Sequence, residues 1–174
     1  MNNLPTLAEI QSIELSDREK QNALNVLLNQ APPEDWLKKQ DGVIHLPVDK
    51  VRLLLTKIFV EWYSEIKSVQ TIANSVVVTS TLHYKNPITE AWAKMDGIGA
   101  APINTKKGAK AMAWDDVVHD SVHKCAAAAA AFALKNAAKN LGRIFGADLM
   151  KDDVISYDSL IDPERFKDAK ITEK

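Results

Sequence analysis

Apolar positions along this chain follow two different periods, and the switches between them outline its elements. Ser16-Asp17-Arg18-Glu19 has the form of a helix-capping box. Leu24, Leu27 and Leu28 then carry an apolar face to about Gln30, and Ala31-Pro32-Pro33 ends it. Trp36 and Leu37 begin a short turn closed by Asp41-Gly42, and Val43 to Leu46 predicts a short strand. Pro47 suits the first turn of a second helix, on which Val48, Val51, Leu54, Leu55, Ile58 and Phe59 recur at helical spacing. The period then drops to two. Trp62 to Thr71 is rich in aromatic and β-branched residues. Ser75 to Tyr84 places Val76, Val78, Leu82 and Tyr84 on one side, and Val77, Thr79, Thr81 and His83 on the other. Asn86-Pro87 marks a turn, Ala91 to Ile98 predicts a returning strand, and Gly97 and Gly99 are expected to break its regularity. After a basic loop at 102–110, a long helix is expected from Asp115 or a neighbour to about Phe145, centred on the six alanines Ala126–Ala131. Such a smooth surface allows a sheet or another subunit to approach closely. The expected class is α+β: an antiparallel β-meander packed on a long α-helix, in the order β-β-β-α.

Composition bounds the function more than it names it. The 174 residues suit one domain, with a helical extension at 1–42, a core at 43–150 and a charged tail at 151–174. No apolar run approaches the roughly 20 residues of a membrane span. The start MNNLPTLAEI has neither a basic nor a long apolar leader region, so a cytoplasmic protein is expected. The single cysteine, Cys125, excludes an internal disulfide framework and is expected to be a small buried residue. The formal net charge of -1 is unlike the strongly basic balance common in nucleic-acid binders. Its distribution changes that picture. Residues 43–113 carry a net +4, residues 1–42 a net -3, and residues 151–174 a net -2. A polyanion can be drawn to one surface of a nearly neutral protein.

Lys135, Lys139 and Arg143 follow one another at four-residue intervals and on a continuous helix would spread over about 80°. Lys124 falls within about 20° of Lys135 on the same helix. Such a stripe is either a solvated helix face or a track for phosphates. Lys106, Lys107 and Lys110 form a second cluster in the loop KKGAK, where solubility is the plainer explanation. His119 and His123, in HDSVH, have the spacing of a metal-binding pair. With Asp120 and His83 they also admit a metal-dependent phosphohydrolase, while an ordinary polar helix start explains them more simply. Trp62, Tyr63, Tyr84 and Trp92 can stack on bases, although core packing is expected of most of them. Neither a Walker loop nor GxGxxG is present, so ATP-driven or dinucleotide chemistry has no support.

Three stretches carry a likeness to a known group: DKVRLLLTKIFVEW (Asp49–Trp62), KMDGIGA (Lys94–Ala100) after the hairpin, and FALKNAAKNLGRIFG (Phe132–Gly146). In order and spacing the chain from Val43 to Lys151 resembles the Rad-fifty-two superfamily of single-strand annealing proteins. That group includes bacterial DdrA-like proteins and phage Sak proteins. The resemblance implies ATP-independent binding of single-stranded DNA and annealing of complementary strands in recombination or repair, in a chain encoded by a phage or mobile element. It implies self-assembly into a ring of roughly ten subunits, with a host single-strand-binding protein or recombinase as a further partner. No cofactor, metal or bond-making chemistry is implied, so the chain is not expected to be an enzyme. By the same resemblance Lys135 and Lys139 on the long helix, Lys50 on the early helix and Lys106, Lys107 and Lys110 in the loop would contact DNA, and Arg143 and Lys124 join them through the helical spacing of the stripe. Asn136 stands where the family usually has a second basic residue. A purely structural oligomer that binds no nucleic acid is the remaining alternative.

Overall fold

The computed structural model describes residues 17–40, 42–106 and 114–149. Helix α1 spans Asp17–Leu28, and a single 3-10 turn covers Glu34–Trp36. Strands β1 (Lys38–Gln40) and β2 (Val43–His45) pair antiparallel as a small separate ribbon. Helix α2 (Val48–Phe59) follows, then β3 (Trp62–Ile72), β4 (Ser75–Lys85) and β5 (Trp92–Pro102). These three strands form an antiparallel sheet in the order β3-β4-β5. Helix α3 (Ser121–Lys139) lies against β4 and β5, and a 3-10 turn at Arg143–Phe145 follows it. The expected sheet-on-helix core is therefore present. Ser16, the first residue of the expected capping box, lies outside the described residues.

Alternation in β4 sets the register of the sheet. Val76, Val78 and Leu82 are buried on the side that faces α3. Their partners across β5 are Ala101, Gly99 and Met95. Gly97, opposite Ser80, and Gly99 do not end the strand as expected; β5 runs through both to Pro102. They serve as places of close approach instead. A methyl group at Gly97 would overlap the Ala133 carbonyl and the Ala137 amide, and one at Gly99 would overlap the Ala129 carbonyl and the Ala133 amide. Ala129, Ala133 and Ala137 are completely buried there, so this alanine row, which takes only Ala129 from the six-alanine tract, is used against the protein's own sheet.

The long helix is shorter than expected at both ends. Residues 114–116 form a 3-10 turn, Val117 bridges to Thr105, and Asp120 adopts a left-handed conformation with φ 63°. The helix therefore begins only at Ser121, whose hydroxyl accepts a hydrogen bond from the Asn104 amide at 2.6 Å. At the other end Gly142 takes φ 151°, and a side chain there would meet the backbone of Leu28. Asn140 and Gly142 favour an end here, and the close contact of Gly142 with α1 fixes it. Leu24, Leu27 and Leu28 of α1 join Leu54, Leu55, Ile58 and Phe59 of α2, together with Leu134 and Phe145, in the larger core cluster. A smaller cluster, including Val76, Val78, Cys125 and Ala129, lies beneath the first half of α3.

Candidate nucleic-acid interface

Lys135 and Lys139 lie one turn apart on α3, on the side away from β5. The β1–β2 ribbon approaches this side. The two lysines, with Val43, Ile44, Leu46 and Phe145, line an open cleft of about 150 Å³. Val43 and Ile44 remain exposed, at 50% and 37%. The cleft thus has a mostly apolar wall, with His45 in it, facing a cationic one. Among the described residues neither lysine makes an ion pair. Partial burial, with a smaller contribution from the neighbouring Lys139 charge, lowers the pKa of Lys135 from its ordinary value. The Lys135 ammonium also sits 5.7 Å from the centre of the Phe132 ring, which is itself 42% exposed. Lys124 is exposed near the start of α3. It lies about 16 Å from Lys135 along the helix axis and almost in line with it.

The other sequence-derived positions do not join this cleft. Arg143 lies beyond the break at Gly142, so it does not extend the helical stripe as expected. Lys50 sits over the Trp36 ring, 5.0 Å from its centre, and does not line the cleft. Lys106 is at the opposite end of α3, 3.7 Å from Asp116 and hydrogen-bonded to the Asp115 carbonyl. Lys107 and Lys110 lie outside the described residues. Asn136 is committed to the sheet: its amide donates to the Ile98 carbonyl at 2.7 Å, and Asn140, one turn on, donates to the Asp96 carbonyl at 3.2 Å. Both acceptors belong to β5, an edge strand. The two asparagines therefore cover backbone groups that would otherwise be open to another strand.

The four candidate stacking aromatics divide evenly. Tyr84 packs on Phe59 with ring centres 4.6 Å apart, and Trp62 is half-buried, donating to the Thr56 hydroxyl. Tyr63 and Trp92 are 52% and 54% exposed, contrary to the expectation that most would be buried. They share the sheet face turned away from α3, where Tyr63 stacks on His83 at 4.5 Å. The His83 ring nitrogen is 3.2 Å from Glu65, whose pKa is lowered first by its hydrogen bond with Lys67 and then by His83. His83 is thus occupied on a sheet face. Among the described residues no three histidine, cysteine, aspartate or glutamate side chains gather where they could hold a metal. His119 precedes α3 and so does not share a helical turn with His123. Both observations count against the phosphohydrolase reading. Cys125 is buried as expected, donating to the Pro102 carbonyl at 2.6 Å.

Sequence reasoning missed Phe132, Val43 and Ile44 as parts of the interface. The spacing of Phe132 three residues before Lys135 was a usable signal. The wall supplied by β2 had none, because its contact with α3 spans about ninety residues of sequence. Among the described residues no helix is long and apolar enough to cross a membrane. No family model matches the chain, and no curated protein matches it.

Proposed function

We propose that this chain binds single-stranded DNA through its backbone and anneals complementary strands without nucleotide hydrolysis, acting in recombination or repair as a ring of identical subunits. The observation that carries the reading is the pair Lys135 and Lys139, without carboxylate partners among the described residues and facing an apolar wall. Lys135 is partly desolvated beside a concave surface, which a freely solvated helix face would not require. Two such ammonium groups can neutralise successive phosphates and release their counterions. The apolar wall suits the sugar edge, and Phe132 offers one ring for stacking. Lys124 continues the track along α3. Contacts of this kind carry little sequence information, so the bound strand keeps its base edges free. A complementary strand then samples registers until pairing holds it, and base pairing itself supplies the driving force. The resemblance in order and spacing to the single-strand annealing proteins supports the same reading.

The test is an annealing assay with complementary labelled oligonucleotides, in chelator and without ATP. The protein is expected to accelerate pairing at low salt and to lose that effect as salt rises. Equal annealing rates with and without protein at low salt would remove the proposal.

A further inference from the structure

The cleft beside Lys135 and Lys139 is built partly from the last described stretch of the chain, because Ala147 and Leu149 also line it. The polypeptide therefore leaves the described structure from the cleft's own wall. Asp152 lies three residues beyond Leu149, at most about 10 Å of extended chain. Residues 152–164 read DDVISYDSLIDPE, with five carboxylates and no basic residue. This is the most negative thirteen-residue stretch in the sequence, and Val154, Ile155, Leu160 and Ile161 are spaced through it. Its chemistry is complementary to the cleft on both counts: anionic where the cleft presents two ammonium groups, and apolar where Val43 and Ile44 are exposed.

We propose that residues 152–164 of the same chain dock in this cleft, setting carboxylates on Lys135 and Lys139 and apolar side chains on Val43 and Ile44. The short tether raises the local concentration of these carboxylates to the millimolar range. An individually weak contact is then occupied most of the time. Lys135 gains from it most directly, since a carboxylate offsets the desolvation that now lowers its pKa. The docking stands on geometry and charge, whereas its regulatory meaning rests on the reading of the cleft as a DNA site. On that reading the segment is a built-in competitor. A short oligonucleotide must displace it at full cost, while a long strand touching several subunits displaces it cooperatively. The protein then selects extended single strands over fragments.

The test uses the full chain. Zero-length carbodiimide coupling followed by mass spectrometry should join Lys135 or Lys139 to Asp152, Asp153 or Asp158. A mixture of isotopically light and heavy protein should show these links within one chain. In the full-length variant Asp152→Asn, Asp153→Asn, Asp158→Asn, Asp162→Asn, acetylation of Lys135 and Lys139 should speed up about threefold relative to Lys38, and a short oligothymidine should bind about tenfold more tightly. Absence of the links with unchanged lysine reactivity overturns the docking, as do links found only between light and heavy chains. If the links form but neither protein binds DNA, the docking stands and the annealing function falls. If both proteins bind DNA equally and no links form, the reverse holds.

Discussion

The two sides of α3 obey opposite rules. Toward the sheet the helix presents Ala129, Ala133 and Ala137 to Gly97 and Gly99, and no atom can be added. Toward the β1–β2 ribbon it presents Lys135 and Lys139 across an open cleft, without ion-pair partners among the described residues. One side spends small residues on proximity, the other long cations on reach. Stability and the proposed binding therefore fall on different sides of a single nineteen-residue helix, and substitutions can test how cleanly they separate.

The largest effect is expected on the sheet side. Gly99→Val forces helix and strand apart and should cost more than about 3 kcal/mol, read as a loss of thermal stability or of soluble folded protein. On the cleft side, Lys135→Glu with Lys139→Glu should lower affinity for single-stranded DNA by about 100-fold at low salt, with the melting temperature nearly unchanged. A binding isotherm and a thermal scan on the same sample check both halves. Equal damage to fold and binding would erase the distinction between the two sides. Asn136→Ala with Asn140→Ala probes the boundary between them. It should cost about 1 kcal/mol through two lost hydrogen bonds to β5 and leave DNA affinity within about twofold. A large loss of affinity would return Asn136 to the DNA contacts that the resemblance implies.

The smallest effect concerns Lys135 alone. Its folded pKa is lowered by burial first and by Lys139 second, so the native state holds its proton less firmly than the unfolded chain does. Below the lowered value both states are protonated, and the fold carries the whole cost of the half-buried charge. As pH rises from the folded toward the unfolded pKa, the unfolded chain binds more protons and relative stability increases. Lys135→Met should therefore stabilise the protein slightly at neutral pH, and the gain should shrink on the alkaline side. Chemical denaturation at several pH values measures this, and DNA binding should weaken in the same variant.

Much of the architecture was legible because local pattern and tertiary role agree there. In α2 and β4 the apolar faces expected from spacing are the buried faces observed, and the bounds differ by about a residue. Legibility failed where distant contacts decide. Residues 115–145 are expected from sequence to form one helix, yet Asp120 turns left-handed and Gly142, a residue that commonly ends helices, is pressed against Leu28. Glycine is ambiguous in sequence, since it marks both turns and close approaches, and Gly97 and Gly99 proved to be the second kind. Strand β1, Lys38-Lys39-Gln40, is polar and exposed throughout and so carries no alternation to read. At the candidate site the spacing of Lys135 and Lys139 was visible, whereas the wall that turns a stripe into a cleft depends on where β2 comes to rest. The grouping with Lys50 and Arg143 failed for the same kind of reason, since Trp36 and Gly142 divert them.

The asparagines on β5 have a consequence for how copies of this chain can join. A sheet continued from subunit to subunit would need the outer margin of one strand to accept the opposite margin of the next. Among the described residues, Asn136 and Asn140 already occupy the centre of one margin, whereas no element pairs with the outer side of β3, the other edge strand. Of the two margins of this three-stranded sheet, β3 is the more open to extension among the described residues, and β3 joined to β3 is a two-fold arrangement that stops at a pair. In the proposed ring, copies would therefore be held by contacts between surfaces, not by one unbroken ladder of backbone bonds.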